Sequence, residues 1–174
     1  MGNRATRIYN DNGILIKKSC SWTKHGHHPS QTLDKHGRHV VNISLFGKHK
    51  TTADGYQTLC AMCNILRHRN DAADSANKPF ELSIEWFINS LNKLNNKCPA
   101  IGRDFIPNDR NWTYSVDKMN PKLWYTKANS IIMSRIANTM KSDMLYDEFI
   151  NVCEEIAINI INKERTSHEA SIRY

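Results

Sequence analysis

Three polar residues between positions 112 and 143 have the types and the spacing of a divalent-metal site. Asp117 lies near the end of a short alternating run, Asn129 comes directly before a second apolar run, and Asn138 follows nine residues later. Carboxylate and amide oxygens are hard donors that suit Mg²⁺ or a similar ion. The pattern therefore makes these three residues candidates for holding a divalent ion.

The elements that must position these residues are predicted from the local pattern. Tyr114–Met119 alternates as a strand does, and Asn120-Pro121 interrupts the alternation because proline cannot continue a ladder. Ser130–Met133 is a second apolar run. Ser134 then stands where a helix N-cap belongs, ahead of a helical segment over 135–142. We therefore expect a strand, a loop, a second strand and a short helix.

The same segment resembles the core of the ββα-metal nucleases, which are also called HNH or His-Me finger nucleases. It is closest to the phage branch of proteins similar to recombination endonuclease VII. In that branch a Ser-hydrophobic-Asp strand precedes a Gly-Tyr/Asn loop, then an Asn, then a helix that ends Asn-x-x-Lys-x-Asp. The corresponding residues here are Ser115-Val-Asp117, Trp124-Tyr125, Asn129 and Asn138-Thr-Met-Lys141-Ser-Asp143. The nine-residue step from Asn129 to Asn138 is the spacing of that family, and the similarity extends over residues 19 to 160.

This resemblance implies a fold class, an activity and a set of site residues. The fold would be α+β and mainly helical, with a ββα-metal core and a small N-terminal region like a zinc ribbon. The activity would be metal-dependent hydrolysis of phosphodiester bonds in DNA. Asp117 and Asn138 would hold a catalytic Mg²⁺ or Mn²⁺, and Asn129 would organise the loop. Lys118 occupies the position of the catalytic histidine, which is the general base of the family.

Two positions depart from the family pattern. Members of the phage branch often carry Arg at the position of Lys118, followed two residues later by Asp, where this chain has Asn120. A lysine with an ordinary pKa near ~10.4 is a poor base at neutral pH. An endonuclease is therefore the first interpretation. The alternative is a catalytically degenerate finger that acts as a nucleic-acid-binding module or binds and inhibits a host protein.

A region rich in cysteine and histidine precedes this segment. Cys60-Ala-Met-Cys63 is one half of a zinc-ribbon-like site, because two thiolates three residues apart on a turn can share a tetrahedral ion. In the phage family a first Cys-x-x-Cys pair comes earlier, but here Thr23 stands where the partner of Cys20 belongs. A nearby histidine would have to replace it. The predicted ligands of a structural Zn²⁺ are Cys20, His25, Cys60 and Cys63.

The choice of histidine leaves alternatives open. His27 is the next candidate for the second ligand, and His28 is a further one. His36, His39 and His49 are expected to be solvated or to face phosphates. A ribbon that has lost its metal, with Cys60 and Cys63 as ordinary helix residues, is the other interpretation of this region.

Composition narrows the class of partner. The net charge is +7 and the isoelectric point is about 9.2, so a polyanion is the favoured partner. No segment has the apolar length that spans a bilayer, and the first residues lack the apolar core of a secretory signal. Five cysteines without such a signal favour metal ligation or buried thiols over disulfides. We expect DNA as a partner, a host protein as a further possibility, no membrane, and the cytoplasm of an infected bacterial host. The expected phosphate contacts are Arg67, Arg69, Arg103, Arg110, Lys122, Lys127, Arg135 and Lys141.

The order of elements divides the chain into four parts. Residues 1–66 form the zinc-ribbon-like region, 67–97 a helical connector, 98–143 the finger, and 144–174 a C-terminal helix and tail. Helical spacing of apolar residues predicts helices over Thr58–Ala76 and over Ser83–Asn95. A fourth helix begins between Asp143 and Asp147, and we expect its apolar stripe, Phe149 to Ile161, to pack on the finger and on the helix over Ser83–Asn95. The charged tail from Lys163 is expected to fray.

Overall fold

The computed structural model describes residues 5–22, 26 and 28–171, and for residues 165–171 it describes the backbone alone. Over these residues the fold contains four α-helices and two antiparallel sheets. The α+β class predicted from the sequence is confirmed.

The N-terminal sheet has four short strands. They are β1 (Arg7–Tyr9), β2 (Leu15–Ser19), β3 (Thr32–Leu33) and β4 (His39–Asn42), in the spatial order β1-β2-β4-β3. All neighbours are antiparallel, and a short 3₁₀ turn (Ile43–Leu45) follows β4. Because β2 pairs with β4, the end of β2 lies beside the start of β4.

A buried ion pair joins this sheet to the loop that follows it. Lys18 is 2% exposed, and its Nζ lies 2.9 Å from Oδ2 of Asp54. The same amine donates to the backbone carbonyls of Tyr56 and Gln57, at 3.3 and 3.0 Å. Arg7 Nε donates to Asp54 from β1 at 2.8 Å. Every charge in this network has a partner, which is the condition under which buried charges are tolerated.

Two helices follow, close to their predicted positions. The first, α1, spans Ala61–Ser75, and the second, α2, spans Ile84–Lys93. Ser83 is the N-cap of α2, and its side chain accepts a hydrogen bond from the backbone N–H of Trp86. Each helix turns an apolar stripe inward. The buried residues are Met62, Cys63, Leu66 and Ala73 of α1, with Ile84 and Phe87 of α2.

The predicted order of strand, loop, strand and helix is confirmed in the next segment. Strands β5 (Tyr114–Lys118) and β6 (Ser130–Ser134) form an antiparallel pair, and α3 (Arg135–Lys141) follows without a break. Ser134 is the N-cap of α3, since its side chain accepts from the N–H of Ala137 at 3.3 Å. In this register Asp117 lies opposite Ile131.

One hydrophobic cluster connects these elements. It contains residues from Cys20, after β2, to Phe149, in the C-terminal helix. Its centre includes Val116 and Met133, neither of which is exposed, and the ring of Phe87 meets that of Tyr114 edge-on at 5.7 Å. The β5–β6 hairpin therefore packs against α2 through apolar side chains.

The C-terminal helix, α4, spans Tyr146–Ser171. Phe149 is buried, but the apolar residues farther along, Val152, Ile156, Ile158, Ile160 and Ile161, are 37–58% exposed. The prediction that this stripe packs on the finger and on α2 is therefore wrong beyond the first turns. The segment from Lys163, predicted to fray, continues as helix to Ser171. Among the described residues, no helix combines the length and the apolar character that crossing a membrane requires.

Candidate metal centre and nucleic-acid interface

Three cysteines and one histidine meet in a buried cluster. The donor atoms of Cys20, His39, Cys60 and Cys63 all lie within 4.8 Å of one another, and all four residues are buried. His39 Nε2 is 3.2 Å from Cys63 Sγ and 3.6 Å from Cys60 Sγ. The backbone N–H of Cys60 donates to Cys20 Sγ at 3.3 Å. These four side chains can hold one metal ion.

The fold brings these residues together from three elements. Cys20 follows β2 and His39 begins β4, and the pairing of Ser19 with Val40 places them side by side. The N–H of Cys20 also donates to the carbonyl of His39 at 2.9 Å. Cys60 is the N-cap of α1, and Cys63 lies in its first turn. An ion at this position would fasten the sheet to the start of α1.

The pKa values of the three thiols in the cluster depend on one another. Hydrogen bonds from Cys60 and then Cys63 hold the pKa of Cys20 far below its usual range, although burial opposes this shift. The hydrogen bond to Cys20 raises the pKa of Cys60, and also that of Cys63. One thiolate therefore suppresses ionisation of its neighbours. All three can ionise together only when a cation compensates their charge.

The donor set agrees with a structural zinc site. Three thiolates and one imidazole are a common tetrahedral zinc set, in which donors about 2.3 Å from the ion are roughly 3.7 Å apart. The spread of up to 4.8 Å in this cluster is close to that geometry. Because all four positions come from the protein and are buried, the site is closed, as structural rather than catalytic zinc sites are.

The structure brings the three predicted cysteines together, and the histidine that joins them is His39. His25 and His27 lie outside the described residues. His39 was expected to be solvated, and this is wrong, because it is 1% exposed and directed at two of the thiols. His36 and His49 are exposed. The position of His39 just before Val40-Val41 marks a strand start, but its neighbour depends on strand register, which the sequence pattern does not give.

The finger places its polar side chains between β5 and α3. Ser115 and Asp117 are two residues apart on β5, so their side chains share one face. Asn138 Nδ2 donates to Ser115 Oγ at 2.6 Å. Lys141 Nζ lies 3.0 Å from Asp117 Oδ2. Both pairs dock α3 on β5, and Asp117 and Asn138 therefore lie on the same polar seam.

One oxygen of the Asp117 carboxylate lies beside a buried cation but accepts no hydrogen bond. Its Oδ2 is buried and close to the ammonium of Lys141, yet no donor hydrogen is aimed well enough to form a hydrogen bond with it. At 3.0 Å the two groups form an ion pair. Lys141 itself has no exposed surface, so its predicted contact with a DNA phosphate is wrong.

Asn129 closes the loop between the two strands. Its side-chain Oδ1 accepts from the N–H of Asn120 at 2.9 Å, and its Nδ2 donates to the carbonyls of Asn120 and Trp124, both at 3.1 Å. Lys118 Nζ donates to the carbonyl of Pro121 in the same loop at 2.7 Å. Lys118 is therefore committed as a hydrogen-bond donor within the loop.

Three arginines predicted to contact phosphates line two neighbouring cavities. Arg110 and Arg135, both exposed, line a cavity of about 460 Å³ beside β5 and α1. Arg67 lines a second cavity of about 230 Å³. Both cavities are bounded by Gln57 and Asn64, so they lie next to each other. Together they form a polar groove on one side of α1.

The other predicted phosphate contacts are more scattered. Arg103 lies over the ring of Trp112 at 4.1 Å, and Arg69 lies over the ring of Tyr125 at 5.4 Å. Both guanidinium groups are therefore supported by aromatic rings. The remaining two, on the loop between β5 and β6, are exposed: Lys122 and Lys127.

Comparison with known proteins adds no relative. No protein-family model matches this chain, and no curated protein or solved structure matches it either.

Proposed function

We propose that this protein is a phage-type, metal-dependent DNA endonuclease of the HNH class. The observation that carries the proposal is the polar seam between β5 and α3. It brings a carboxylate, Asp117, and an amide, Asn138, to one face of a hairpin-plus-helix unit. The polar groove beside this unit, whose lining includes Arg110 and Arg135 together with one carboxylate, Asp109, supports DNA as the polyanion.

The residues present fit a divalent ion. Asp117 Oδ2 receives no hydrogen bond, although the Lys141 ammonium lies 3.0 Å from it, and Asn138 uses its Nδ2 on Ser115, which leaves its Oδ1 as an acceptor. The Asp117 carboxylate and Asn138 Oδ1 would hold Mg²⁺ or Mn²⁺, which keep several water ligands and need few from the protein. A bound divalent ion would polarise the scissile phosphate and lower the pKa of a coordinated water.

The other finger residues have supporting roles in this proposal. Asn129 fixes the loop through three hydrogen bonds and so sets where β5 ends. Lys118 donates a hydrogen bond to the carbonyl of Pro121. In this proposal it contributes positive charge near a bound phosphate.

The metal cluster has a structural role in the same proposal. Zinc on Cys20, His39, Cys60 and Cys63 would fix the start of α1 against the N-terminal sheet. The helix that carries Arg67, one of the arginines that line the groove, would then be held in a fixed position. We place this activity in the cytoplasm of an infected bacterium.

A second candidate function is DNA binding without cleavage. The Asp117–Lys141 ion pair favours it, because the carboxylate that would hold the divalent ion already has a buried cation beside it. Such a protein would occupy DNA, or would bind a host factor, through the same surface.

A cleavage assay combined with a binding assay separates these candidates. Supercoiled plasmid and branched DNA are incubated with the zinc-loaded protein and Mg²⁺ or Mn²⁺, and the expected result is nicking. Asp117→Asn and Asn138→Ala should remove the activity and retain binding, whereas Asp147→Asn, at an exposed position of α4, should retain both. Salt-sensitive binding with intact DNA under every metal would leave the second candidate. Absence of binding at low salt would refute both DNA functions.

A further inference from the structure

A small cavity lies between α1 and the loop that precedes it. Its volume is about 230 Å³, and its polar lining includes His49, Thr52, Asn64 and Arg67. None of the seven residues that line it is acidic. A cavity with a guanidinium and no carboxylate has an electrostatic preference for an anion.

Arg67 has unused hydrogen-bonding capacity in this cavity. Among the described residues its buried Nε has no hydrogen-bond partner. Its Nη2 donates to Asn64 Oδ1 at 3.5 Å. Among the described residues, no carboxylate forms an ion pair with Arg67. A buried donor without an acceptor is unfavourable, and a guanidinium presents paired donors that match the oxygens of a phosphate.

The walls of the cavity are already held in place by backbone contacts. The N–H of His49 donates to the carbonyl of Gly55 at 2.8 Å, and Thr52 Oγ1 donates to the carbonyl of Tyr56 at 2.8 Å. The N–H of Gln57 donates to the carbonyl of Gly47 at 2.8 Å. A ligand would therefore enter a formed pocket and would not have to order the loop.

We propose that this cavity binds a phosphate group, with Arg67 as its main donor and Asn64 and Thr52 beside it. The inference rests on the proposed action on DNA and adds a phosphate subsite outside the finger. The neighbouring cavity, lined by Arg110 and Arg135, shares two walls with this one and can receive the adjoining part of the same strand. The phosphate comes either from within a strand or from its 5′ end.

The test measures binding of the zinc-loaded protein to a fluorescent duplex by anisotropy across a salt series. Arg67→Gln should weaken binding several-fold and lower the slope of log K against log salt by about 0.9, the value for one phosphate contact. The control is Lys93→Gln, an exposed change on α2 that lines neither cavity and should leave the slope unchanged. A slope for Arg67→Gln equal to that of the control variant would overturn the inference, while wild-type binding would keep the proposed function intact.

A comparison of duplexes with a 5′-phosphate and with a 5′-hydroxyl shows whether the bound phosphate belongs to a strand end or to the backbone. Loss of affinity that is confined to the phosphorylated duplex assigns the pocket to a strand end, and equal loss on both assigns it to the backbone.

A second measurement does not depend on DNA or on the variant. The Nε–H resonance of Arg67 in the wild-type protein should shift on addition of inorganic phosphate. An unshifted resonance overturns the inference, and failure of the wild type to bind DNA overturns the proposed function instead.

Discussion

Lys141 carries its ammonium 3.0 Å from the carboxylate of Asp117, at a position with no solvent exposure, where α3 packs on β5. The two residues belong to the motif segments Ser115-Val-Asp117 and Asn138–Asp143, which are separated in the chain by the hairpin loop and β6. Their contact means that the motif lysine stabilises the finger from within. The positive charges available to DNA near the finger therefore exclude Lys141 and include the exposed Arg110, Lys122, Lys127 and Arg135.

Removing the buried cation should destabilise the finger. Lys141→Met leaves Asp117 as an unpaired buried charge, which costs about 3 kcal/mol or more of unfolding free energy. Urea unfolding followed by tryptophan fluorescence measures this change. Lys127→Met, at an exposed position, is the control and should change stability little. The double variant with Asp117→Asn should recover most of the loss, and a double variant as unstable as the single one would contradict the ion pair.

The zinc site should be specific to His39. Purified protein is expected to contain one zinc per chain, and His39→Ala should lose it and lower the unfolding free energy by several kcal/mol, because ligand loss removes metal-linked folding energy. Native mass spectrometry and elemental analysis give the metal content. His36→Ala removes an exposed histidine from the loop between β3 and β4 and should retain the zinc. Full zinc content in His39→Ala would show that another residue completes the site.

Stability in acid should depend on Asp54. Burial alone would raise its pKa, but hydrogen bonds from Lys18 and then Arg7 outweigh burial and lower the pKa to about 2. The folded pKa is thus below the unfolded value of about 3.9, so the carboxylate stabilises the fold above pH ~4 and this contribution is lost as pH falls toward 2.

The variant Asp54→Asn tests this sign directly. It should be less stable than wild type by about 2 kcal/mol or more at pH 7, and the difference should shrink as the pH is lowered. Chemical denaturation at a series of pH values provides the comparison, with the exposed Asp71→Asn as the control. A difference that stays constant down to pH 2 would show that the ionised form of Asp54 is not what matters.

Loop closure should depend on the side chain of Asn129. Asn129→Ala removes three hydrogen bonds to the loop and should cost about 2 kcal/mol. Amide hydrogen exchange should then accelerate over residues 119–129 more than in β5 or β6. Asn151→Ala, on the exposed side of α4, should leave the exchange pattern unchanged. Unaltered exchange in the loop of Asn129→Ala would mean that the loop is held by other contacts.

The sequence was sufficient for elements whose signals are local. The N-caps at Ser83 and Ser134 and the proline break after Asn120 place α2, α3 and the β5–β6 hairpin close to their observed limits. Such signals act over a few residues, so no knowledge of the rest of the fold is needed.

What could not be predicted depends on distant pairing. The assignment of His39 to the metal cluster follows from the register of β2 on β4, and the burial of Lys141 follows from how α3 docks on β5. In α4 the helical spacing of apolar residues was correct as secondary structure but did not show which neighbour covers them. Among the described residues only its first turns find one, through Phe149.

The position of the cysteine cluster at the start of α1 has a consequence for DNA affinity. Cys63 holds the cluster and Arg67 faces the phosphate cavity one turn later on the same helix, so the metal and the polyanion would be thermodynamically linked without touching each other. Chelation would then weaken DNA binding, and bound DNA would increase the affinity for zinc by the same coupling free energy.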